Sequence, residues 1–103
     1  MVTRALDLMW NKFLGDIRER VRVLQNAAQA AAAGKLRPEQ RAAAQAAAHK
    51  LAGTLGTFGL DRGTRLAREL ENLYAGEAAV DAGFARRAGA LAGEISAMIE
   101  SRK

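Results

Sequence analysis

The chain has 103 residues, half of them hydrophobic, with a single proline, no cysteine and one histidine. That length suits one domain with a single modest core. The lack of cysteine removes disulfides, thiolate nucleophiles and cysteine metal sites. Abundant alanine with few β-branched residues points to an all-α fold. The formal net charge of +5 and the pI near 10.4 raise nucleic acid as a partner. However, the arginines are spread along the chain and interleaved with acids, as in Arg18-Glu19-Arg20 and Asp61-Arg62. Few aromatics are left for stacking on bases, so a solvated surface is the better reading. No run is long and apolar enough to cross a bilayer, and the N-terminus lacks a signal-peptide pattern, so a cytoplasmic location is expected.

In chain order, the pattern predicts helices over about 3–33, 38–56, 60–74 and 79–101. The first starts with Thr3 as N-cap. It carries Leu6, Trp10, Phe13, Ile17, Val21, Leu24 and Ala28 at steps of three and four, a core-facing stripe. Gly34 ends it, Lys35 to Arg37 connect, and Pro38 fits the first turn of the second helix with Glu39 beside it. The alanine runs of helices 1 and 2 combine high helix propensity with side chains small enough for close helix approach. Gly56 is the expected exit of helix 2. Helix 3 turns Leu66, Leu70 and Leu73 inward, with an irregular first turn at Gly63. Asp81 is a candidate N-cap for helix 4, whose apolar stripe is Phe84, Ala88, Leu91, Ile95 and Met98 or Ile99. Short connections between four amphipathic helices imply an antiparallel up-down four-helix bundle.

Helix 2 holds the histidine. Ala44, Ala48, Leu51 and Leu55 share one face, and His49 falls about 160° from Leu51, towards solvent. Its expected outer-face neighbours are Gln45, Ala46, Ala52, Gly53 and Gly56, all small except Gln45. Glycine in a helix interior costs about 1 kcal/mol relative to alanine. Gly53, one turn beyond His49, therefore suggests a gap kept open for another molecule's surface.

Most site chemistries fail on the residues present. His49 has no carboxylate three or four residues away, as a triad base would want. One histidine without cysteine cannot ligate zinc. Gly53, Gly56 and Gly59 lack the strand and the lysine-serine ending of a nucleotide loop. Glu69, Glu71 and Glu77 read as a solvated face. An exposed imidazole can, however, attack an activated phosphoryl group, since histidine titrates close to neutral pH. Between Gln40 and Leu60 no residue is acidic, while Arg41 and Lys50 are basic.

His49-x-Leu51-x-Gly53, the small-residue turn to Gly59 and the following Leu66-Ala67-Arg68-Glu69-Leu70-Glu71 resemble the histidine-containing phosphotransfer (HPt) domain of bacterial two-component phosphorelays. The resemblance implies a four-helix phosphotransfer protein rather than an enzyme, with His49 as phosphoacceptor and Lys50, Gly53, Gln45 and Gly56 in support. It implies response-regulator receiver domains or a hybrid histidine kinase as partners. The chain would need no cofactor of its own, because Mg²⁺ belongs to the receiver's acidic pocket. The family's lysine three residues after the histidine is replaced by Ala52. Lys50, about 100° from His49 on the helix, is an imperfect substitute, and Arg62 and Arg65 are the alternatives. No nucleic-acid or membrane partner is expected, and the chain is expected to be a monomer. The competing reading is a non-catalytic helical interaction module in which His49 is incidental.

Overall fold

The computed structural model describes residues 2–102, with side chains from residue 4 onward. Four helices follow one another: α1 (Val2–Ala32), α2 (Pro38–Thr57), α3 (Asp61–Ala75) and α4 (Ala82–Ser101). They form an elongated bundle of 48 × 20 × 19 Å. Each helix packs on its neighbours in sequence and α1 closes the ring against α4. Contacts pair rising with falling residue numbers. Trp10 meets Phe58 between α1 and α2, and Arg62 and Glu69 of α3 meet Glu94 and Arg87 of α4. Arg18 meets Glu100 between α1 and α4. Arg41 and Ala52 of α2 meet Tyr74 and Thr64 of α3 in the same opposed order. Thus α2, α3 and α4 run antiparallel to their neighbours in this series, as the short connections predict.

Two glycines set the first two helix exits. Gly34 has φ 68° and Gly59 φ 74°, the left-handed conformation that side chains resist. After each, paired backbone bonds close the helix end: Lys35 N–H to Ala30 O and Gly34 N–H to Ala31 O, then Leu60 N–H to Leu55 O and Gly59 N–H to Gly56 O. Helix α2 therefore runs through Gly56, the expected exit, and stops at Thr57 because the left-handed residue is Gly59. Thr3, expected as the first N-cap, already lies within α1.

Helix α3 begins regularly, without the loosened turn expected at Gly63. That glycine is buried, and a methyl group there would sit 3.0 Å from both Leu55 Cδ1 and Met98 Sδ. Its job is close approach between α2, α3 and α4. The Asp81 carboxylate accepts from Phe84 N–H at 2.8 Å, the predicted cap, and α4 starts at Ala82 rather than residue 79. Arg41 closes the end of α3. Its guanidinium donates to the carbonyls of Tyr74 (2.9 Å), Ala78 (3.1 Å), Leu73 (3.5 Å) and Gly76, and lies over the Phe84 ring. Those carbonyls would otherwise lack partners at a helix end.

The core follows the apolar stripes, with edge-to-face aromatic pairs at opposite ends: Trp10 on Phe58 and Tyr74 on Phe84. Phe13, expected inside, is 37% exposed. It sits at the α1 edge facing Thr54 and Thr57, which are too short to cover it. Leu73 is half-buried, and at the end of α4 Ile99 is inward while Met98 is half-buried.

Tyr74 is 2% exposed, and among the described residues its buried hydroxyl has no hydrogen-bond partner. Burial pushes its phenol up from 10.0 to about 12, against the opposing pull of the Arg41 cation. Folding opposes ionisation here, so this contribution to stability is complete below pH 10.0 and is lost as the pH rises through about 12. Ultraviolet titration of this sole tyrosine should therefore show a midpoint near 12 in the folded protein and near 10.0 in denaturant.

Candidate functional site

The α2 sequence that packs Ala44, Ala48, Leu51 and Leu55 inward leaves His49 outward, with 73% of its side chain exposed. Next along the same face lies Gly53, where an added Cβ would meet nothing within 4 Å. The opening expected beside the imidazole is present. Ala52, expected on that outer face, is only 5% exposed. Helix α3 covers that flank, and the Thr64 hydroxyl donates to the Ala52 carbonyl at 3.0 Å. Gly56 lies on the same seam, its Cβ position 3.3 Å from Thr64 Oγ1.

The feature that sequence reasoning missed is Glu71. Taken there as part of a solvated face, it stands beside the histidine, its Oε2 2.8 Å from His49 Nδ1, with 26% of its side chain exposed. A carboxylate only accepts, so Nδ1 carries the proton in this bond. In the neutral ring that leaves Nε2 with the free lone pair, and among the described residues no group bonds to it. The pairing was invisible at helical spacing because the residues are 22 apart. The signal was the hairpin itself. Gly59 lies ten residues after His49, so an antiparallel α3 places a residue about ten beyond Gly59 opposite the ring.

The other expected residues are distributed differently. Lys50 is exposed, but turned from His49 by about 100° around α2. Gln45, one turn before His49, is half-buried and makes no side-chain hydrogen bond among the described residues. Arg41, counted as local positive charge, is committed to the end of α3. Arg62 pairs with Glu94 and Glu69 with Arg87, both towards α4. Glu77 is exposed in the α3–α4 connection. Among the described residues no three histidine, cysteine, aspartate or glutamate side chains group as metal ligands.

Such a site presents one oriented nucleophilic nitrogen on an open helix face. The model of the Hpt domain family matches residues 8–101. The chain belongs to the Hpt domain family. Hpt domains are phosphotransfer modules rather than enzymes of the usual kind. A segment of 37 residues is also 57% identical to Protein RcaC of Microchaete diplosiphon, covering 36% of this chain and 6% of that protein. The Hpt chain thus matches only a small part of that relative's length, and no solved structure matches it.

The Glu71 contact is expected to fix the ring's tautomer. Nitrogen-15 spectra should show His49 protonated on Nδ1 in the native Hpt domain and a shifted tautomer mixture in Glu71→Ala.

Proposed function

We propose that this Hpt domain is a phosphorelay intermediate whose His49 takes a phosphoryl group from a receiver-domain phospho-aspartate and passes it to another receiver aspartate. The observation carrying this reading is the exposed imidazole with Nδ1 held by Glu71. In the transfer, the Nε2 lone pair attacks phosphorus, the aspartyl O–P bond breaks, and the carboxylate leaves with the bonding pair. No proton has to move. The product ring is cationic, and the Glu71 carboxylate on Nδ1 stabilises that charge. The reverse step uses the same atoms, so transfer runs either way. The chain supplies position and charge, which phosphoryl transfer chiefly requires, while the receiver's acidic pocket supplies Mg²⁺.

The surroundings suit a docked protein. On the α1 side of the Gly53 opening, Met9, Phe13, Thr54, Thr57 and Phe58 line a shallow apolar recess of about 220 Å³. Leu8, Met9 and Phe13 are the large apolar side chains left exposed among the described residues. A receiver covering Gly53 would reach both this ledge and His49, and an acidic partner suits a chain of net charge +5. A hybrid histidine kinase carrying a receiver fits the same face. Among the described residues no helix is long and apolar enough to cross a membrane. We place the domain in the cytoplasm, acting as a monomer. The ledge also favours a second reading, in which the domain only docks and His49 is incidental.

Incubation with a phosphorylated receiver separates the two. The native chain should gain an acid-labile, alkali-stable phosphate and His49→Gln none, with melting unchanged because the side chain lies outside the core. Labelling of the variant would assign the phosphate elsewhere, and no labelling of the native chain would leave the docking module.

Gly53→Leu gives a second test. Open space around the glycine and leucine's better helix propensity predict equal or greater stability, by up to about 0.8 kcal/mol. Transfer from the receiver should nevertheless fall at least about tenfold, roughly the effect of 1.4 kcal/mol of lost complementarity.

A further inference from the structure

Phosphorylation would place a strongly anionic group on the ring whose other nitrogen already touches a carboxylate. The cationic ring lies between them, but its single charge is outweighed by the phosphoryl dianion and the carboxylate together. A further cation is therefore favoured, and α2 provides none on that side. Arg41 is engaged with four carbonyls of the α3 end and its following loop. Arg62 and Arg87 are paired with Glu94 and Glu69 on the α4 side. Lys50 is turned about 100° from His49 around α2.

Helix α3 offers two further arginines, and its register separates them. Thr64 and Glu71 both touch α2, through the Ala52 carbonyl and His49, so they mark the flank of α3 that faces the site. At 100° per residue, Arg68 lies between their turns, about 40° from Thr64 and about 60° from Glu71. Arg65 lies about 120° from Glu71, on the outermost face. Arg68 is exposed, and among the described residues it has no ion pair or side-chain hydrogen bond. It is the one α3 cation set on the His49 flank.

We infer that Arg68 is the cation that binds the phosphoryl group carried by His49. The inference rests on the phosphorelay reading and adds a residue to it. A guanidinium can donate two parallel hydrogen bonds to phosphoryl oxygens, a geometry lysine does not offer. It would offset Glu71, hold the phosphoryl group during attack and departure, and lengthen the life of the phosphohistidine.

The test separates this residue from the relay itself. Potassium phosphoramidate phosphorylates exposed histidine directly: Nε2 attacks phosphorus, the P–N bond of the reagent breaks and ammonia leaves. With the full chain labelled in this way, phosphohistidine decay is followed by phosphorus NMR. Arg68→Gln should shorten the lifetime, and slow transfer to a receiver, by roughly five- to tenfold, about one exposed charge-assisted hydrogen bond. Arg68→Lys should fall between Arg68→Gln and the native chain, and Arg65→Gln should match the native chain, with helicity unchanged throughout. Native lifetime and transfer in Arg68→Gln, or an equal loss in Arg65→Gln, would overturn the assignment. A His49 that phosphoramidate labels but no receiver does would overturn the relay reading, while the lifetimes still decide Arg68. A His49 that phosphoramidate leaves unlabelled would overturn both.

Discussion

The antiparallel seam between α2 and α3 is the constraint on which the rest of this molecule depends. At one end, left-handed Gly59 reverses the chain and Leu60 N–H returns to Leu55 O. In the first turn of α3, Gly63 lets the helices close to contact and Thr64 bonds the Ala52 carbonyl. At the far end Arg41 reaches across to the carbonyls after Leu73. These ties fix the register of one helix against the other. Glu71 stands opposite His49 because of that register, and a slip by one residue would turn it about 100° away.

The seam also explains how an exposed side chain can be well placed. A solvent-facing imidazole normally samples several rotamers and both tautomers. Here one nitrogen is tethered to a partly buried carboxylate and the other is left to solvent. The open space at Gly53 then gives access, while burial of Ala52 keeps the support beneath the ring solid. Orientation and accessibility, which usually oppose each other, come from different flanks of the same helix.

Much of this was legible in the sequence because it depends on local periodicity. Four helices, Gly34 as an exit, Pro38 and Asp81 at helix starts, and the outward direction of His49 all follow from spacing and backbone preference. What was not legible depends on pairing between helices. Glu71 reads as one of several surface acids until α3 is laid against α2. Arg41 reads as free charge until the end of α3 is seen to lack partners. Gly56 reads as a helix exit because two glycines three residues apart compete for that place, and only the backbone hydrogen bonds select Gly59. Phe13 fits its stripe but meets threonines too short to enclose it.

Arg102, just past α4, lies over the Trp10 ring and within 3.3 Å of Asp7 on the first turns of α1. The strand of chain entering the bundle and the one leaving it are thereby pinned side by side, close to the Trp10–Phe58 pair. A module with adjacent entry and departure points can be spliced between other domains without separating them. His49 lies eight residues back along α2 from Thr57, nearer the middle of the rod than the tether.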